Sequence, residues 1–182
     1  MVRVPYVSRD ELDAEGQKIY DRIREDRGTE EVGLQFRALL NSPQSAGHLT
    51  SLGASLRFQS SMSENLKELA IILVAREWDS DIEWTGHSIL AAKAGVSDGS
   101  IEAIRTHQTA DGLTNDETIV SKFVHEMIRN KKVSDGTYAE AEKLVGQRGV
   151  VDLTLTVSYY SALALAQIAL QLEMGPGQVS TL

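Results

Sequence analysis

The sequence predicts an all-α domain of about eight helices, and three observations carry that prediction. Apolar residues recur at helical spacing along most of the chain. Only three prolines occur, at 5, 43 and 176, so long helices can run uninterrupted. The β-branched runs are short, and the turn signals fall where helices would end.

Ser8 to Glu11, "SRDE", is a capping box. It predicts a helix with Leu12, Ile19, Tyr20 and Ile23 as its apolar stripe, followed by a loop from Gly28 to Gly33. "LQFRALLNSP" reads as a short helix stopped by Asn41, Ser42 and Pro43, and residues 44–60 as the next helix. Ser63 is placed to cap "ENLKELAIILVAREW". Residues 79–81, "DSD", interrupt that helix, and the one bearing "EWTGHSILAAKA" ends at Gly95, a helix-terminating glycine. "VSDGSIEAIRTH" is a short helix, and Thr114 to Glu117, "TNDE", a second capping box that opens "TIVSKFVHEMIRN". "SDGTYAEAEKLVG" and "VVDLTLTVSYYSALALAQIALQLE" are the last two helices, and 174–182 a loose tail.

A chain of 182 residues can bury one real core, and its 42% hydrophobic and 24% charged content is that of a soluble globular domain. The first residues lack the apolar run of a secretory signal, so a cytoplasmic location is expected. With a net charge of −8 and no basic stripe, nucleic acid is not expected as a partner; "RNKK" at 129–132 reads as the positive end of a helix. Residues 153–172 carry no charge. Their many Ser, Thr and Gln residues argue against a membrane span and for a buried central helix or a subunit interface. There is no cysteine, which excludes disulfides, thiolate metal sites and thiol nucleophiles.

Chemistry is concentrated in "EWTGHS", residues 83–88. Glu83 and His87 stand one turn apart and share a helix face. A carboxylate beside an imidazole favours its charged form and can fix its tautomer, which suits general acid–base work. Trp84 could wall an apolar pocket, although a tryptophan at such a position also serves simply as core. Arg76 could hold a substrate carboxylate bidentately, or form a structural ion pair. His48, His107 and His125 read as ordinary helix residues, and neither metal-binding helix spacing nor a further ligand set appears, so no metal is expected; no organic cofactor is required if a substrate serves as its own electron sink.

Residues 66–104, "LKELAIILVAREWDSDIEWTGHSILAAKAGVSDGSIEAI", resemble the carboxymuconolactone decarboxylase family, the wider group that includes alkylhydroperoxidase D. "FRALLNSP" upstream, and more loosely the segments from 134 onward, extend the resemblance over most of the chain. It implies an alkylhydroperoxidase D-like helical bundle spanning 1–182 as a single domain. The peroxidase branch of that family carries a Glu, then Cys-x-x-Cys, then a His four residues after the second Cys. On this chain those positions fall on Glu68, Ser80, Glu83 and His87. Both thiols are missing, so thiol-based peroxide reduction has neither its attacking nor its resolving group. Ser80 reads as a junction or N-cap residue. What remains resembles the cysteine-free decarboxylase-like branch. There the resemblance implies a small carboxylated lactone or related acid as substrate, loss of carbon dioxide into a conjugated system, and protonation of carbon. His87 is the candidate proton donor, with Glu83 or Glu68 orienting it. A non-catalytic binding or scaffold protein of the same fold is the rival reading. The resemblance also implies self-association, as trimers or trimer-based hexamers first and dimers second.

Overall fold

The computed structural model describes residues 2–182, with all side chains in that range except that of residue 110. Every regular element among the described residues is helical. The chain divides into two compact units.

The first unit holds the described residues up to Gln59 together with Leu165–Gln178. Its helices are α1 (Ala14–Arg27), α2 (Leu34–Leu39) and α3 (Pro43–Phe58). The Ser8 capping box forms, with the Ser8 N–H and hydroxyl both donating to Glu11 at 2.6 and 2.8 Å. It closes only a single 3-10 turn, Arg9–Glu11, rather than opening α1. The helix proper starts one step later, because Asp13 accepts from the Gly16 N–H at 2.8 Å and so caps it independently. Gly28 ends α1 in the left-handed conformation, φ 62°, which spares a Cβ clash there. Pro43 occupies the first turn of α3, where its missing N–H costs nothing.

The second unit holds Ser60–Ala164 and Val179–Leu182. It is built from α4 (Glu64–Glu77), α5 (Asp81–Lys93), α6 (Asp98–Arg105), the one-turn α7 (Thr109–Gly112), α8 (Asn115–His125) and most of α9 (Asp135–Leu170). A π turn, Glu126–Asn130, continues α8. The central helix is α4, in which every residue from Leu66 to Ala75 is buried. The uncharged 153–172 segment is not that central helix. It buries Leu153, Val157, Tyr160 and Leu163 but leaves Leu155, Leu165 and Ile168 between 38% and 57% exposed, and Val151 just before it is 54% exposed. By length and composition α9 could cross a membrane, yet one of its faces is already committed to the core. Asp152 ties α9 to the chain entering α4, accepting from the Ser61 N–H and hydroxyl, both at 2.8 Å. Burial pushes the Asp152 carboxyl up, but these bonds outweigh it and hold it below the ordinary carboxylate range.

The two helices expected over 134–146 and 150–173 form one run, Asp135–Leu170, broken at a single residue, Gly146, with φ 75° and ψ 169°. That conformation is essentially restricted to glycine, and open space surrounds the position where a Cβ would sit. Gly146→Ala should therefore destabilise the protein by about 1–3 kcal/mol through backbone strain alone. Denaturant unfolding checks this: an unchanged midpoint would contradict it.

Candidate active site

The turn between α4 and α5 is short and locally determined. Asp79 adopts φ 48°, a left-handed conformation that aspartate tolerates better than most residues. Ser80 follows as the N-cap, its hydroxyl accepting from the Glu83 N–H at 3.3 Å. Ser80 is thus a junction residue, as its sequence context suggested. The turn leads α5 back along α4 and sets its inner face against the one carboxylate in the fully buried stretch, Glu68.

Glu68, Glu83 and His87 come together there. Glu68 is 1% exposed, Glu83 4% and His87 8%. His87 Nδ1 lies 2.7 Å from Glu68 Oε2, a hydrogen bond inside the protein. A carboxylate there accepts, so Nδ1 carries the proton and the tautomer is fixed. Glu83, the partner one turn away, stands 3.7 Å from Nε2, too far for a hydrogen bond but close enough to act as a charge. Of the two carboxylates expected as alternatives, the distant Glu68 is the one that bonds the ring, and the near Glu83 faces its other nitrogen. Nε2 makes no hydrogen bond among the described residues, leaving it as the nitrogen able to give or take a proton. The Tyr160 ring meets the imidazole edge-on at 5.0 Å and is itself met edge-on by Tyr159 at 5.1 Å. Removing His87 alone would strand a charge on Glu68 in the core, which typically costs about 3–5 kcal/mol.

Trp84 is 1% exposed and belongs to the core. Arg76 does not join the triad. It lies eight residues beyond Glu68, about 12 Å along the helix axis. Its Nε donates to the Arg105 carbonyl at 2.8 Å, satisfying an orphan acceptor at the end of α6, and its Nη1 pairs with Asp79. Arg76 instead lines a cavity of about 340 Å³ that Glu68, Glu83 and His87 do not reach. Another cavity of about 340 Å³ and one of about 780 Å³ in this unit are likewise lined by other residues.

Two groupings escaped the sequence. Nothing in local spacing relates Tyr160 to His87, since they sit on separate helices. The second grouping surrounds Glu77, at the C-terminal end of α4. Its carboxylate accepts from Arg129 through Nε, at 2.6 Å, and Nη2, and lies 3.4 Å from His125 Nε2. The "HEMIR" spacing, His125 and Arg129 one turn apart, was the available signal. Burial pushes the Glu77 carboxyl up, but the bonds from His125 and Arg129 outweigh it and bring it down to about 2.

No protein-family model and no curated protein matches the sequence. Solved structures do match. The chain is similar to the apo debrominase Bmp8, with a TM-score of 0.72, 11% identity, and coverage of 93% of this chain and 90% of that one. A cysteine-to-alanine variant of the same debrominase, in complex with 2,3,4-tribromopyrrole, gives 0.74 and 11%, covering 97% and 92%. An uncharacterized peroxidase-related protein from Silicibacter sp. TM1040 gives 0.75 and 14%, covering 96% and 93%. At these identities the likeness is one of fold, and it extends over nearly the whole chain: the protein has the alkylhydroperoxidase D-like helical fold.

The Glu77 cluster has a pH signature whose sign is fixed. Its folded-state carboxyl lies below the ordinary value of 4.5, so the stabilisation is complete above pH 4.5 and is lost as pH falls through about 2. Glu77→Gln should cost on the order of 2–3 kcal/mol at neutral pH, and the gap to the wild type should close on acidification through that window. Unfolding free energies of both proteins against pH test this. A gap constant from neutral pH down to pH 2 would refute it.

Proposed function

We propose that the protein is an acid–base enzyme, a carboxymuconolactone decarboxylase-like carboxy-lyase or isomerase acting on a small carboxylated lactone or related acid. The observation that carries this reading is the convergence of Glu68, His87 and Glu83 with Nε2 left without a hydrogen bond. In the decarboxylase form, the bond to the substrate carboxylate breaks, carbon dioxide leaves, and the electron pair enters the conjugated system of the substrate. His87, charged and donating from Nδ1 to Glu68, delivers the Nε2 proton to carbon and recovers it from water. Glu83 stabilises the imidazolium from the other side. The substrate supplies its own electron sink, so these residues need only position and move a proton. The fold neighbours lend general support: one is named a debrominase and has been solved with 2,3,4-tribromopyrrole, a small planar molecule.

A non-catalytic role for the same fold is favoured by one observation, the burial of the triad, with the His87 side chain only 10% exposed. The two readings part on a substrate screen of small carboxylated lactones, followed by carbon dioxide release and mass change. Peroxide defence by thiols is not proposed, because the chain has no cysteine.

The informative variant is His87→Asn, which can keep the donor to Glu68 while removing the proton-carrying Nε2. Turnover on whichever substrate the screen finds should fall about 10²–10⁴-fold. Glu68→Gln should cost less, and the double variant little more than His87→Asn, since residues acting as a unit are not additive. Full turnover in a folded His87→Asn protein would return the triad to a structural role.

We also propose that the protein works as a homo-oligomer in the cytoplasm, a trimer or hexamer before a dimer. The support is the large apolar residues that α9 leaves exposed, Val151, Leu155, Leu165 and Ile168. Sedimentation at micromolar concentration should show an assembly that Leu155→Glu weakens; a stable wild-type monomer would end this proposal.

A further inference from the structure

The cavity at the C-terminal end of α4 has the makings of a site of its own. It measures about 340 Å³ and draws its walls from α4, α6, α7, α8 and the π turn. Its apolar surface comes from Leu73 and Ile104, each 1% exposed. Two guanidinium groups, Arg76 and Arg129, and two imidazoles, His107 and His125, also line it, against one carboxylate, Glu77.

The donors are only partly committed. Arg129 uses Nε and Nη2 on Glu77, which leaves Nη1. Arg76 uses Nε on the Arg105 carbonyl and Nη1 on Asp79, which leaves Nη2. The Asp79 pairing is itself at the surface, with that carboxylate's side chain 76% exposed, so it neutralises Arg76 weakly. His107 and the Thr109 hydroxyl make no side-chain hydrogen bond among the described residues. His107 is carried into the wall by a left-handed turn, φ 56°, just past α6. Glu77 is meanwhile held ionised and saturated by Arg129 and His125, so it does not compete for the remaining donors.

From this we infer a binding site for a small carboxylic acid with an apolar body, separate from the His87 triad. The carboxylate would take the free Nη groups of Arg76 and Arg129 with His107 and Thr109, and the body would fill the rest of the hollow, which Leu73 and Ile104 close from beneath. The remaining Nη donors of the two guanidinium groups suit the paired oxygens of a carboxylate, whereas inorganic phosphate has no apolar body to fill the rest of the hollow. The site does not depend on the function proposed for His87. Glu77 lies nine residues past Glu68, about 13 Å along α4, and no triad residue lines the cavity.

The four histidines, His48, His87, His107 and His125, give four imidazole reporters. Benzoate titrated into the intact protein, followed by imidazole proton–carbon correlation spectra, should move His107 and His125 in a saturable way and leave His48 in place. Benzyl alcohol, with the same ring and no charge, should not produce these shifts, and inorganic phosphate should displace benzoate poorly. His107→Ala breaks no other described contact and should weaken benzoate about fivefold. Arg129→Gln, with circular dichroism as the folding control, should weaken it tenfold or more. Four results would each overturn the inference: shifts confined to His87, equal shifts with benzyl alcohol, tighter binding of phosphate than of benzoate, or unchanged affinity in a folded Arg129→Gln protein.

Discussion

Glu68 is the constraint on which the second unit turns. Between Leu66 and Ala75 α4 shows no face to water, yet it carries a carboxylate that is 1% exposed. A buried carboxylate without a partner would cost several kcal/mol. His87 supplies that partner, and in doing so it fixes how α5 lies along α4: one residue of slip in either helix would rotate the donor away. The edge of Tyr160 against the same imidazole brings α9 into the arrangement. A single hydrogen bond of 2.7 Å thus coordinates three helices.

The polar groups along α4 each answer a different neighbour. Near its start Lys67, though 3% exposed, reaches Glu64 at 2.7 Å. Glu68 takes His87. Arg76 closes the end of α6, and Glu77 anchors the π turn through Arg129. Such placements look like isolated exceptions in an apolar helix, but each gives directionality that apolar packing by itself lacks. They also separate the helix into two chemical environments: a buried acid–imidazole pair in its first half, and a hollow lined by two arginines at the C-terminal end.

Ser80 and Glu83 stand at the two positions where the resemblance to the peroxidase branch would place thiols, and each has a structural place of its own. Ser80 caps α5, a role that needs a short acceptor side chain. Glu83, one turn before His87, places a second carboxylate against the nitrogen that Glu68 leaves open. The fold is shared with the debrominase and the peroxidase-related protein, while this chain has no cysteine at either position, and fold by itself does not fix the reaction.

The sequence by itself determined the helical class, the capping at Ser80 and Thr114, the start of α4 after Ser63 (which makes no side-chain cap bond), the glycine-marked ends at Gly28 and Gly95, and the absence of thiol chemistry. These are local matters, decided by side chains within a turn of the backbone they act on. It also brought out Glu83 and His87, because a one-turn spacing can be read along a line. Family resemblance, rather than any local signal, raised Glu68. Tertiary structure decided which carboxylate orients the imidazole, that Arg76 faces a different cavity, and that Tyr160 touches His87. It also decided that α4 is the buried centre and 153–172 a half-exposed face. Periodicity reports that a helix has an apolar side, but not what covers it. Hydrogen-bond partners on separate helices are chosen by the angle at which those helices cross, and that angle is a property of the packed chain.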